Sequence, residues 1–305
     1  MADRFYLRHV DLGGGNVFSQ VRDLSASTNT EYLINFASGA PYPGHVSVAK
    51  QRPAIAMGTE QLLTVFTLAG VGGYAVTACT AYFQQQTNRA ARTAGGTSAH
   101  RAIQLNNSLL WWDSLTANAA DTAVSMTVNI EPTYNGTNAP MAALGSQTFT
   151  PNDAVAQKYC LGKVVINGTV IDEVDGIDLQ MNHSIKRGEN GATGVAYNPF
   201  ISIMSTSPQV TIRSPRVVDW AGVLAAPSPV ASNVDIYLRR KENDRAFYAD
   251  NTTNHILLRI ANGVVGPEDV RSGGSDSAMA AIRVVARSAG SDASPLAITT
   301  GVTIP

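Results

Sequence analysis

The chain has 305 residues, 22 Lys and Arg against 23 Asp and Glu, a formal net charge of −1 and 15% charged residues. That balance argues against a protein that holds nucleic acid by neutralising phosphates, which needs a basic face, although nucleic acid could still slide past it. So little charge suits a chain that hides much of its surface in an assembly. The opening residues carry no apolar signal core and no run of about 18 apolar residues occurs, so neither a secretory leader nor a membrane crossing is expected.

In chain order, "DLGGGN" (Asp11 to Asn16) fits neither nucleotide-binding glycine pattern and reads as a hairpin turn. "HVSVA" from His45 and "AIAM" from Ala54 alternate apolar and polar, the mark of half-buried strands. "TEQLLTVFTLAG" reads as a helix with Thr59 as N-cap, Glu60 in the first turn and Gly70 as its stop. Its Leu62, Leu63, Phe66 and Ala69 recur at helical spacing and should lie on a sheet.

"QQQTNRAARTAGGTSAHRAIQL" from Gln84 holds Arg89, Arg92, Arg101, His100 and a Gly-Gly pair. Taken alone it could be a phosphate cradle, a catalytic histidine on a loop, or a decorated hairpin. "LLWWDSL" puts Trp111 and Trp112 at an expected turn, as local core or as anchors on a neighbouring subunit. "AVSMTVNI" from Ala123 reads as a strand.

Further on, "VIDEVDGIDLQM" clusters Asp172, Glu173, Asp175 and Asp178. A calcium loop fails here, because Ile171 stands five residues before Gly176 and Asn182 six after it. Ile177, Leu179 and Met181 should point one way, Asp178 and Gln180 the other. The acids are then a solvated strand face or, for Asp172, Asp175 and Asp178, an acidic strip facing a channel. "FISIM", "QVTI", "DIYLRR", "ILLRI" and "AAIRVVA" read as strands, and "SPRVVDWAGVLA" as a second helix with Ser214 as N-cap and Pro215 at its first position. Asn-Gly pairs at Asn135, Asn167, Asn190 and Asn262 supply turns. Cys79 and Cys160 have no paired-cysteine spacing and should be buried small apolar residues. No nucleophile elbow, metal-binding helix or paired-Cys site stands out, so no enzyme, cofactor or metal is expected.

Sliding the chain on itself by 155 residues lays the stretch from Gln84 onto "RRKENDRAFYADNTTNHILLRI" from Arg239. His100 meets His255, Asn107 meets Asn262, and Tyr82 meets Tyr237, whereas Arg89, Arg92 and Arg101 meet Asp244, Phe247 and Ile256. The register runs unbroken from Gly39 to Ala142 and slips by two residues upstream, where "VRDLSAS" matches "VDGIDLQ". The expectation is two tandem copies, 1–150 and 151–305, each a β-sandwich or partial barrel with one flanking helix. Charge changes between the copies while strand phase persists. His100 therefore reads as structural, and Arg89 and Arg92 as contacts peculiar to one of two non-equivalent positions.

"KVVINGTVIDEVDGIDLQM", "SPQVTIRSPRVVDW", "NHILLRIANGVVGPEDVRSGGSDSAMAAIRVVA" and "SPLAITTGVTIP" together resemble the tail tube (major tail) proteins of long-tailed bacteriophages. The resemblance lies in the opening hairpin, the strand-then-capped-helix step, the turn around "GPEDV" and the closing strand. It implies a virion structural subunit, six domains closing a ring around a channel and rings stacking into a tube that DNA crosses without specific binding. Members carrying the fold twice form a ring from three chains. The implied partners are the chain itself, other tail proteins and passing DNA, with no membrane; the implied locations are the virion tail and, during assembly, the host cytoplasm. Channel-facing positions should then be poor in Lys and Arg. The alternative is another viral or extracellular β-structural assembly protein, such as a capsid, head-completion or non-viral tube component.

Overall fold

Each alternating run named above lies in a strand of the structure, a computed structural model that describes residues 3–36, 38, 41–87, 91–119, 122–151, 157–188, 197–215, 228–229, 233–243, 245–271, 279–288 and 293–305. The chain is mainly β, in several antiparallel sheets. The first half contains β1 (Arg4–Asp11), β2 (Val17–Phe18), β3 (Val21–Ser27), β4 (Thr30–Phe36), β5 (Pro43–Gln51), β6 (Ala54–Thr59), α1 (Leu62–Ala69), β7 (Gly73–Gln86), β8 (His100–Asn118), β9 (Ser125–Pro132) and β10 (Met141–Gln147). The second contains β11 (Tyr159–Ile166), β12 (Thr169–Ile171), β13 (Gly176–Gln180), β14 (Ser184–Arg187), β15 (Ile201–Ser205), β16 (Gln209–Ser214), β17 (Ser228–Pro229), β18 (Val234–Arg240), β19 (His255–Ile260), β20 (Val264–Arg271), β21 (Met279–Val285) and β22 (Leu296–Val302).

The 19-residue β8 organises the first half. Its opening part pairs with β7 and β10, and its later part with β9. One strand thus changes partners along its length, and the sheet folds round an apolar core that includes Val10, Phe18, Ile55, Leu105, Leu110 and Trp112. Asn107, at φ 48°, sits where the partner changes from β10 to β9. In the second half two separate strands stand in two sheets. β19 joins β12, β11, β18 and β22 in a five-stranded sheet, β20 joins β21, β16 and β13, and Asn262 at φ 53° lies between them. Asn tolerates this left-handed backbone better than most side chains, because its short amide hydrogen-bonds locally.

The helix differs in detail from its expected form. Leu62, Val65, Phe66 and Ala69 are buried; Leu63 is half-buried, so the face turns toward Val65. Thr59 ends β6, and its Oγ1 accepts the Gln61 N–H at 3.1 Å, just before the first helical residue. Gly70 closes the helix at φ 55°, where a side chain would be strained, and donates its N–H to the Phe66 carbonyl. The second expected helix, beyond Ser214 and Pro215, lies outside the described residues, as do Asn190 and Arg89. Ser214 itself ends β16, fully buried.

β5 overturns a firmer expectation. "HVSVA" was expected to be half-buried, yet Val46 is 54% exposed and Val48 44%. Its partner β4 is exposed on both faces, including Tyr32 at 61% and Ile34 at 50%. Alternation gave the strand correctly; what it could not give is whether anything covers the apolar side.

Candidate functional site

The two histidines are structural, and their surroundings match bond for bond. His100 is fully buried; its Nδ1 accepts the Gln85 N–H at 3.2 Å and its Nε2 meets the Ala94 carbonyl at 2.9 Å. His255 is equally buried, with its Nδ1 on the Arg240 N–H at 3.2 Å and its Nε2 on the Ala249 carbonyl at 3.0 Å. Since a carbonyl only accepts, Nε2 carries the proton in both rings. Both nitrogens of each ring are engaged by backbone groups, so the arrangement ties a loop to a strand. Arg92 lies over the Tyr6 ring at 5.0 Å, and at its counterpart Phe247 the roles reverse, with Arg239 and Lys241 against the Phe247 ring.

The tryptophans lie mid-strand in β8, not at a turn. Trp112 is 0% exposed; its Nε1 donates to the Gly70 carbonyl at 2.7 Å and its ring meets Phe66 edge-on at 5.8 Å. It is part of the chain's own core and offers nothing to a neighbour. Trp111 points to the opposite side, with its Nε1 on Asp113 Oδ1 at 3.0 Å, and shares a cleft with Asn129, Glu131 and Arg187.

The acids are dispersed. Asp172 and Glu173 are exposed in the turn after β12, Asp175 is exposed in the approach to β13, and Asp178 is half-buried within β13. Ile177, Leu179 and Met181 are fully buried on the other face. Asp178 is ion-paired to Arg213 and accepts from Thr116 Oγ1 at 2.9 Å. Among the described residues, no group of three or more His, Cys, Asp or Glu could hold a metal ion.

The most extensively built polar site is one that residue motifs did not reveal: the seam joining the halves. β13 runs antiparallel to the end of β8, with Gly176 opposite Asn118 and Gln180 opposite Ser114. A Cβ at Gly176 would stand 2.9 Å from Asn118 Oδ1 and 3.2 Å from the Ala117 carbonyl, so a larger residue there would have to displace the Asn118 side chain and crowd the ladder. The Met181 N–H to Asp113 carbonyl and Ala119 N–H to Asp175 carbonyl bonds, at 2.8 and 2.7 Å, extend the ladder at both ends.

The β14–β15 hairpin then reaches across to the first half. Arg187 donates to both oxygens of Glu131 at 2.8 to 3.0 Å, and Asn198 Nδ2 adds a bond to the same carboxylate at 3.2 Å. Glu131 is 3% exposed, and its hydrogen bonds push the Arg187 guanidinium further above its ordinary range. Ile203 and Leu109 flank Gly73, and Tyr197 stacks on Tyr134 at 5.4 Å. His183 Nε2 donates to the Trp112 carbonyl at 3.1 Å, so its Nδ1 accepts from Thr206 Oγ1 at 2.8 Å; burial holds this imidazole below its ordinary 6.5.

The outer strands of the seam sheet are β3 at one end and β20, edged by β17, at the other. Among the described residues β3 pairs with β6 alone, and β20 has β21 on one side and only the two-residue β17 on the other. Among the described residues the β4–β5 hairpin pairs with no strand outside itself, and most of its apolar side chains are exposed. "YLINF", with apolar residues at consecutive positions, was the sequence signal for this surface, since an ordinary half-buried strand alternates.

No protein-family model matches the chain, and no curated protein matches it.

Proposed function

We propose that this protein is the structural subunit of a viral tail tube: a tandem duplication whose copies, three chains to a ring, enclose a channel for DNA and stack into a tube. The observation that carries this reading is the seam. The sheet order is β3, β6, β9, β8 and then β13, β16, β21, β20, so the second half begins where the first half ends. Head-to-tail contact of this kind leaves one edge open at each end and invites another copy, and it closes when the rotation divides a circle. Repeating the step would set β20 of one chain against β3 of the next, with Val270 opposite Ala26 as Leu115 stands opposite Leu179.

The duplication is supported by backbone features recurring at the offset. Asn107 and Asn262, and Ser146 and Gly301, are positive-φ pairs 155 residues apart. The pairings of β8 with β10 and of β19 with β22 share one register, Leu105 opposite Met141 and Ile260 opposite Leu296. Upstream, Leu24 faces Met57 while Ile177 faces Ile212, which reproduces the two-residue slip read from sequence. The first strand corrects the alignment by one residue, since Val10 faces Ala81 while Val164, not Val165, faces Ile236.

The outer face of the seam sheet suits passage of DNA. Arg213 is tied to Asp178 and Arg283 to Glu268, so these cations are already neutralised. Negative-stain imaging of the purified protein tests the function. Hollow tubes with a regular axial repeat, and a solution mass that is a threefold multiple of the chain, are expected; a protein that stays monomeric at high concentration overturns the reading.

A further inference from the structure

The two hairpins occupy corresponding places, and one of them already has its partner. In β14–β15, Ile203 faces Ile185 and Ile201 faces Arg187. In β4–β5, 155 residues earlier along the second strand, Val48 faces Tyr32 and Val46 faces Ile34. Ile34 therefore stands where Arg187 stands. On the receiving surface, Leu109 of β8 faces Glu131 of β9, and Val264 of β20 faces Val285 of β21. The neighbouring register agrees, since Ile130 faces Ile55 while Val284 faces Val210. Val285 therefore stands where Glu131 stands, and Val264 where Leu109 stands.

Both members of the internal contact change together. Arg187 on Glu131 is a charged pair, and its counterpart is Ile34 with Val285, both apolar. A charge on one side alone would have left either an ion or an apolar residue without a partner. Ile34 is 50% exposed and Val48 44%, in a hairpin where Tyr42 is 79% and Phe36 60% exposed. Val264 and Val285 are both partly exposed on the second half's outer face.

We propose that the β4–β5 hairpin of one copy seats on the β20–β21 face of another copy, with Ile34 against Val285 and Val48 against Val264. The occupant is a second copy of this chain because the template for the contact is the chain's own β14–β15 hairpin on its own β8–β9 face. The proposal rests on the head-to-tail reading above and adds a contact that the edge pairing does not require. It also accounts for the exposed apolar hairpin, which a free monomer would carry as an aggregation hazard.

The test is a charge pair transplanted from the internal contact. Ile34→Arg and Val285→Glu are made singly and together, and self-association is followed by sedimentation and light scattering beside the unaltered protein. Each single variant should need about tenfold more protein or greater to assemble, because a lone charge is placed against an apolar surface. The double variant should regain most of the lost association, since it copies Arg187 on Glu131. A thermal melt of each variant separates lost contact from lost fold. Independently, Ile34→Cys with Val285→Cys should give disulfide-linked multimers under oxidation. An assembling protein indifferent to Ile34→Arg, a double variant no better than the singles, or no cross-link overturns the hairpin contact while leaving the tube reading in place. An unaltered protein that never associates overturns both.

Discussion

The β14–β15 and β4–β5 hairpins leave their respective halves at the same point, between paired strands of one sheet, but only the former is covered. The seated hairpin is polar at its anchor, with a buried carboxylate held by a bidentate guanidinium and an amide. The bare one is apolar at the equivalent place. The difference follows from chain order. A contact made within one chain forms as the chain folds, so a charged pair can be desolvated with its partner always present. A contact made between chains forms from surfaces already in water, and two apolar residues gain by leaving it with no charge to desolvate.

That comparison depends on the halves being equivalent, and the histidine turns test equivalence with the largest expected effect. His100→Ala should strip partners from the Gln85 N–H and the Ala94 carbonyl, and His255→Ala from the Arg240 N–H and the Ala249 carbonyl. Two buried groups left without partners, with a cavity, cost about 3 kcal/mol in each case. Urea unfolding of the two variants should give similar losses. A full loss in one and none in the other would show that the matching geometry does different work in each half.

Next comes the anchor of the seated hairpin. Arg187→Ala leaves Glu131 buried with only the Asn198 amide, which should cost about 2 kcal/mol. Removing Glu131 as well, as Arg187→Ala with Glu131→Ala, should cost less than the sum of the single changes, because no uncompensated charge remains. Additive losses from the two changes would mean that the pair is not coupled and that the hairpin is held by Ile203 and Tyr197 alone.

Smaller again is the effect of acid on the seam. Burial lowers the His183 pKa below 6.5, so the unfolded chain takes up the proton first as pH falls. The seam's stability is thus complete above 6.5 and declines as pH drops toward the folded value, with Asp113 opposing the shift. His9 is also held below 6.5 by burial and follows the same trend, so the reading is the difference between the unaltered protein and His183→Asn. Melting temperatures should converge below pH 6.5 and separate above it; parallel curves would remove His183 from the account.

Strand positions were legible because period-two alternation reports a pleated surface directly, as in "AIAM" and "QVTI", where burial alternates residue by residue. The histidine's structural role was legible too, once the same position returned with its charged neighbours replaced. The seam was not. Gly176 and Asn118 are far apart in sequence, and edge pairing is made by backbone groups that every residue carries. Trp112 misled for a related reason: an aromatic pair within a long strand splits between two faces, and sequence alone does not say which face holds the core.

The smallest expected effect is on the bare hairpin of the free subunit. Tyr32 is 61% exposed and stands where the half-buried Ile185 stands in the seated hairpin. If nothing in the monomer covers it, Tyr32→Ser should change the unfolding free energy by no more than about 0.5 kcal/mol, as at an ordinary surface position. Ile185→Ser should cost more, because the seated hairpin presses that side against the first half. The pair of measurements, made in dilute solution where chains do not meet, isolates the within-chain contact from any between-chain one. Equal costs would mean that the seated hairpin gains nothing from its seat, and the two hairpins would then differ in composition but not in environment.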